Sequence, residues 1–262
     1  MLGPLELQAL TYTQSRGKSH LAAGELSGAL QWTDEQERKV LSRLARKGLI
    51  VRVRRGLYLV PPTLPPGGRW SPGEFLALTT LISDREGNYQ ISGPNTFYRY
   101  GWTEQVPNRI YAYNNRISGD RAVGPTALTL IKVDDSRLGG TEVVKTPDGI
   151  DVVYASKARS LVDAVYDYSR FDSLPKAFGW IRSEEAKSDS FAADLVEAAI
   201  AYGNQGTIRR IGAALEREGV QEGLLRKLER ELSRTSALIP FVPARPKRGT
   251  GSKHWGIVFN DE

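Results

Sequence analysis

The chain contains no cysteine, and only two of its 262 residues are histidine. The first absence excludes disulfides, thiolate nucleophiles and cysteine metal clusters. The second leaves His20 and His254 at opposite ends of the chain, which excludes a histidine-rich metal centre and gives little support to a Ser-His-Asp triad. No run approaches the ~18 apolar residues of a membrane span, and the opening "MLGPLELQALTYTQSRGK" lacks the basic, apolar and cleavage segments of a secretory signal. A cytoplasmic protein without membrane contact is expected.

Other signatures of catalysis are also missing. "GTGSK", Gly249 to Lys253, lacks the spacing that wraps backbone N–H groups around phosphate in a P-loop. "VDD", Val133 to Asp135, could pair carboxylates for Mg²⁺, but no Gly-Ser element stands upstream as a nucleotidyltransferase would need. Carboxylate pairs of this kind are usually solvated turns. The sequence therefore assigns no catalytic residue, no metal and no cofactor, and reads as a protein that is not an enzyme.

What the chain does have is a lopsided charge. Its formal net charge is +6, and residues 1–60 hold ten Lys or Arg against five Asp or Glu, while the remaining 202 hold 26 against 25. Nearly all the excess sits in one small N-terminal unit, the electrostatic footprint of a nucleic-acid or other anionic partner. That unit ends at "PPTLPPGGRWSP", Pro61 to Pro72, whose five Pro and two Gly in twelve residues form neither helix nor central strand. The expected organisation is a first domain at 1–62, a stiff linker at 63–72 and a larger domain at 73–262.

Periodicity within the first unit predicts three helices and a hairpin. Leu5, Leu7 and Leu10 suggest a first helix, Leu21, Leu26 and Leu30 a second, and Val40, Leu41 and Leu44 one face of a third. "TDEQ" opens the third with a capping box, the Thr33 hydroxyl accepting from the Gln36 N–H while the Gln36 side chain reaches back, and Gly48 closes it. The face opposite the apolar stripe carries Glu35, Arg38, Lys39, Ser42 and Arg46, with Arg43 at its edge. A helix of this width fits the DNA major groove, although the same residues could be a solvated basic face. In "IVRVRRGLYLV" Val51 and Val53 alternate with Arg52 and Arg54, and Gly56 supplies the positive φ of a tight turn. Strand, Arg-Arg-Gly turn and strand, directly after a helix-turn-helix, is the order of a winged helix. Clustered Arg52, Arg54 and Arg55 then have a reason, because phosphate offsets their mutual repulsion.

Beyond the seam the pattern is mixed. "SPGEFLALTTLI" predicts a helix from Ser71 with Pro72 in its first turn and a stripe of Phe75, Leu78 and Leu81 or Ile82. "IYAYN", "ALTLIKV" and "TEVVKT-PDG-IDVVYA" predict strands, the last two joined by a Pro-Asp-Gly turn. Residues 73–156 thus read as strand-rich and 157–262 as helical, with periodic segments near 157–168, 191–202, 207–218 and 221–234 and a short strand at "HWGIVFN". The fold class is α+β, a winged helix-turn-helix followed by a larger mixed α/β domain. The aromatic run "SGPNTFYRYGW" beside Asn95 could line a ligand pocket, but Phe97, Tyr98, Tyr100 and Trp102 at that density are more often core. Arg245, Lys247, Arg248 and Lys253, joined by Arg209 and Arg210, could form a second cationic patch for nucleic-acid phosphate, or simply solvated loop and helix faces.

These segments resemble the AbiEi-type antitoxins of bacterial abortive-infection toxin–antitoxin systems. The resemblance lies in "LSRLARKGLIVRVRRGLYLVP", "ISGPNTFYRYGWTEQVPNRIYAY", "SKARSLVDAV", "NQGTIRRIGAALER" and "RPKRGTGSKHWGIVFN", which span most of the chain in the family's order. It implies a winged helix that binds double-stranded DNA and represses the protein's own operon. It also implies a remainder that counteracts a cognate nucleotidyltransferase-like toxin, directly or functionally. Carried over by position, Arg38, Lys39, Arg43, Arg46, Arg52, Arg54 and Arg55 become the DNA contacts, whereas no residue pattern fixes the antitoxin surface. The residues leave an alternative open, a stand-alone winged-helix regulator whose larger domain senses a small ligand.

Overall fold

The structure, a computed structural model, describes residues 2–64, 68–188 and 190–261. Residues 65–67 of the expected linker lie outside the described residues. The chain is a mixed α and β protein.

The N-terminal unit runs α1 (Pro4–Ser15), β1 (His20–Ala22), α2 (Glu25–Leu30), α3 (Asp34–Arg46), β2 (Val51–Arg54) and β3 (Leu57–Leu59), with an antiparallel sheet in the order β1-β3-β2. Two expectations need correcting. Leu21 belongs to β1, whose backbone pairs with β3 of the hairpin while the Leu21 side chain is buried, and not to the second helix. In α1 the buried face is Glu6, Ala9, Leu10 and Thr13, spaced at one helical turn, and it leaves Leu7 52% exposed.

The larger part continues with α4 (Glu74–Ser83), β4 (Tyr89–Ile91), α5 (Pro94–Arg99), β5 (Ile110–Asn114), β6 (Gly119–Val123), β7 (Thr126–Lys132), β8 (Thr141–Lys145) and β9 (Asp151–Ala155). Helix α4 begins at Glu74 after an extended Gly73, two residues later than Pro72, so that the acid sits in the first turn and complements the helix dipole. The strands make one six-stranded sheet, β6-β7-β5-β4-β9-β8, with β5/β7 and β4/β9 parallel and the other pairs antiparallel. Then follow α6 (Lys157–Tyr166), α7 (Tyr168–Phe171), α8 (Lys176–Glu185), α9 (Phe191–Tyr202), α10 (Gln205–Arg217) and α11 (Glu222–Arg230). A small terminal sheet, β10 (Ile239–Pro240), β11 (Thr250–Ser252) and β12 (Ile257–Phe259), has β12 at its centre. The largest core cluster joins α6, α8, α9 and α10 to this sheet through Trp255, Phe241 and Ile257.

"SKARSLVDAV" earns its place structurally. Ser156 caps α6, and the fully buried Arg159 donates to Asp163 at 3.0 Å, to the Gly139 carbonyl at 2.9 Å and to the Arg137 carbonyl at 2.8 Å. Asp163, equally buried, also accepts from Ser92 and Arg137. A paired and fully hydrogen-bonded buried charge of this kind locks sheet, loop and helix into one arrangement.

The N-terminal unit is seated on the larger part. Leu59 belongs to the core cluster of Leu78, Ile82, Ile91 and Leu128, with Val51 and Val53 packed against it. The Trp70 N–H donates to the Gly48 carbonyl across the seam at 2.8 Å.

Candidate nucleic-acid interface

Helix α3 is held in place from three sides. Thr33 and Gln36 exchange the two hydrogen bonds of the capping box at 3.1 and 2.9 Å. Val40, Leu41 and Leu44 are buried. Glu37, 4% exposed, turns inward, and its carboxylate accepts from the N–H groups of Gly24 and Leu26 at 2.9 and 3.1 Å. It thereby satisfies the amino end of α2 and sets that helix against α3. At the other end Gly48, at φ +71°, lets the Leu49 N–H return to the Leu44 carbonyl at 3.0 Å and the chain turn into the hairpin.

Glu6 anchors the basic end of α3 to α1. Its buried carboxylate takes Lys47 Nζ at 2.5 Å and Arg43 Nε at 3.4 Å. The hydrogen bond from Lys47 holds the Glu6 carboxyl below its usual range, against the opposing effect of burial.

The seven residues expected to meet DNA divide into distinct groups. Arg38 and Ser42 of α3 face Arg52, Arg55 and Gly56 of the hairpin across a cleft of about 570 Å³, with Tyr58 on its wall. Arg38, Arg46 and Arg55 are exposed, and among the described residues their side chains have no ion-pair or hydrogen-bond partner. Arg52 is exposed and, among the described residues, donates only to the Arg54 carbonyl, at 3.3 Å. Lys39 pairs with Glu35 at 2.7 Å on the open helix face, where both side chains remain more than half exposed. Such a pair is worth about 0.3–0.5 kcal/mol and does not prevent either group from finding another partner. Arg43 leans toward Glu6.

Arg54 departs from expectation. Its guanidinium meets both carboxylate oxygens of Asp84, at the end of α4, at 2.5 and 2.6 Å, and donates to the Arg55 carbonyl at 2.7 Å. The Arg54 hydrogen bond lowers the Asp84 pKa. The turn therefore projects Arg52 and Arg55 outward and ties Arg54 down, because a bidentate carboxylate satisfies the fork geometry that phosphate would otherwise use.

The second patch does not assemble as one surface. Arg209 and Arg210 are each 8% exposed, because α10 lies under the terminal sheet with residues 207–215 all buried. Arg210 donates to the carbonyls of Pro240, Phe241 and Gly206, and burial lowers its pKa. Arg245 is tied to the carbonyl of Asp261, and Lys247 to that of Leu238. Arg248 and Lys253 stay exposed. The aromatic run is mostly packed inward: Phe97 is buried and Trp102 stacks on Trp180 at 5.6 Å, while Tyr98 is 45% exposed, and Asn95 bridges the Arg109 carbonyl and the Tyr111 N–H.

The sequence reading missed Glu6, Glu37 and Asp84, the three carboxylates that orient the basic unit. Glu6 and Glu37 carried a signal, since each lies at helical spacing from buried apolar residues. Asp84 carried none, as its partner is 30 residues away.

Residues 32–61 match the family model of an AbiEi antitoxin, a transcriptional regulator. The match covers α3 and the hairpin, and so contains all seven residues expected at DNA and none of the second patch. No curated protein matches the chain. A likeness in fold covers far more of it. The crystal structure of the RV2827C protein from Mycobacterium tuberculosis is similar at a TM-score of 0.62 over 98% of this chain and 92% of that one, with 12% identity. The likeness in fold thus extends well beyond the AbiEi-matched segment. Among the described residues no helix is long and apolar enough to cross a membrane, and no group of three or more acidic or histidine side chains could hold a metal ion.

Proposed function

We propose that the N-terminal unit is a winged helix that binds double-stranded DNA, with α3 in the major groove and the hairpin tip on the flanking backbone. The observation that carries this reading is the cleft that gathers Arg38 of α3 with Arg52 and Arg55 of the hairpin, beside Asp34 and the inward-turned Glu37, and in which none of the three arginines has an ion-pair partner among the described residues. Unpaired arginines converging from two elements repel one another, and a phosphate backbone relieves that repulsion. The AbiEi match over the same residues supports the further reading of an antitoxin that represses its own toxin–antitoxin operon and counteracts a nucleotidyltransferase-like toxin.

The two activities should be separable in the intact chain. Truncation at the seam is the poorer test, because it strips Leu59 from the core of the larger part. R38A/R55A instead removes two exposed side chains. Expressed beside a nucleotidyltransferase-like toxin encoded next to its gene, that variant should still rescue growth while failing to repress a reporter driven by the operon's promoter. Loss of rescue with the fold intact would contradict the division of labour, and retained repression would contradict the interface.

A further inference from the structure

Arg209 is one of three buried arginines among the described residues, and it is satisfied differently from the other two. Arg159 has an aspartate and two carbonyls, and Arg210 has three carbonyls. Arg209, 8% exposed, makes one hydrogen bond among the described residues, to the Ala237 carbonyl at 3.2 Å, and has no carboxylate partner there. A guanidinium carries five N–H donors, and a buried charge left this far short of partners costs free energy unless something else meets it. What it does meet is a cavity of about 310 Å³, which it lines together with Arg234, Lys253, His254, Ser233 and Glu229.

The cavity is built rather than incidental. Gln205 accepts from the Ser233 N–H at 2.9 Å and donates to the Glu231 carbonyl at 2.8 Å, which fixes the chain leaving α11 along one wall. Gly256 closes another, so near that a Cβ there would stand 3.2 Å from Arg209 Nη1. The one acid on the lining, Glu229, is held by His254 at 2.8 Å. Arg234 and Lys253 are exposed, and neither has an ion-pair or hydrogen-bond partner among the described residues. Three cations thus surround one small cavity whose single carboxylate is already engaged.

We infer that this cavity is an anion site for a phosphate monoester, of the size and charge of a nucleoside monophosphate. A compact dianion suits three cations that line one small cavity, whereas a nucleic-acid strand would need them spaced along a groove. The site lies outside the segment proposed to bind DNA and does not depend on that reading.

Titration calorimetry on the full chain, with AMP and with inorganic phosphate as probes at constant ionic strength in chloride, tests it. Saturable binding of both is expected, together with a rise in the melting temperature that chloride does not reproduce. R234A/K253A alters only exposed side chains. It should weaken AMP binding about tenfold or more, the loss expected for hydrogen bonds to charged groups, while leaving the unliganded melting temperature and promoter-duplex binding unchanged. R209K should retain more affinity than R209Q. Absence of saturable binding, or binding indifferent to R234A/K253A, would overturn the assignment. So would a short oligothymidine strand binding at this cavity where AMP does not.

Discussion

Arg54 and Asp84 form a two-pronged ion pair, at 2.5 and 2.6 Å, between the turn of the N-terminal hairpin and the end of helix α4. The hairpin offers three arginines in four positions, and this pair removes one of them from the cationic surface while fastening the turn to the larger part. Asp84 thereby sets how many positive charges the turn presents.

Releasing Arg54 should change DNA binding in a countable way. D84N leaves the arginine free to reach one more phosphate, so the slope of log K against log salt should steepen by about 0.9. R54A in the otherwise unchanged protein should barely alter the slope, and R54A/D84N should cancel the gain. A salt series on these three variants measures all of this, and an unchanged slope in D84N would show that Arg54 does not reach the duplex even when free.

The buried Arg159 network should dominate local stability. R159A removes one of the two arginines paired with the buried Asp163, leaving it Arg137 and Ser92, and takes a donor from the carbonyls of Gly139 and Arg137. Breaking a buried pair from one side costs about 3–5 kcal/mol, read as a lowered urea midpoint in equilibrium unfolding. A loss below about 1 kcal/mol would mean that the network is far better solvated than its burial indicates.

Glu184 gives the acid limb of stability a specific contributor. Burial disfavours its charge, but hydrogen bonds from Lys157, Lys187 and Trp102 outweigh that and bring its pKa from 4.5 down to about 2. A carboxyl with a depressed folded pKa stabilises the native state above its unfolded pKa and loses that contribution as pH falls through the folded value. Unfolding followed between pH 5 and pH 2 should therefore show a fall in stability across this window that is shallower in E184Q. Parallel curves for the two proteins would remove Glu184 from the account.

The capping box at the start of α3 is a local, exposed feature with a predictable cost. T33A should lower stability by about 1 kcal/mol, measurable as a drop in melting temperature, with binding affected only through the fraction folded.

How much of this was legible beforehand depends on the distance over which each feature is determined. Helix α3 was readable because its cap, apolar stripe and terminal Gly48 are all local. The Pro-Asp-Gly hairpin of β8 and β9 was readable for the same reason. Strand β6, with Gly119, Asp120 and Arg121 exposed, shows no alternation and exists because β7 pairs with it along its whole length. Helix α8 follows Pro175 and contains Gly179, which masks its period. In the basic N-terminal unit, composition revealed which residues are basic but not which are engaged. Arg54 and Arg55 are adjacent, and only the tertiary position of Asp84 separates them. Arg209 and Arg210 likewise read as surface charge, because nothing local reveals that the terminal sheet covers α10.

The most direct test of the account is the affinity of the intact protein and of R38A/R55A for a duplex carrying its own promoter, and for a scrambled duplex, across a series of salt concentrations. If the cleft between α3 and the hairpin grips phosphate at both arginines, the double variant should bind both duplexes more weakly, and its salt slope should be shallower by about 1.8. Equal slopes and affinities for the two proteins would contradict the placement of DNA on this face.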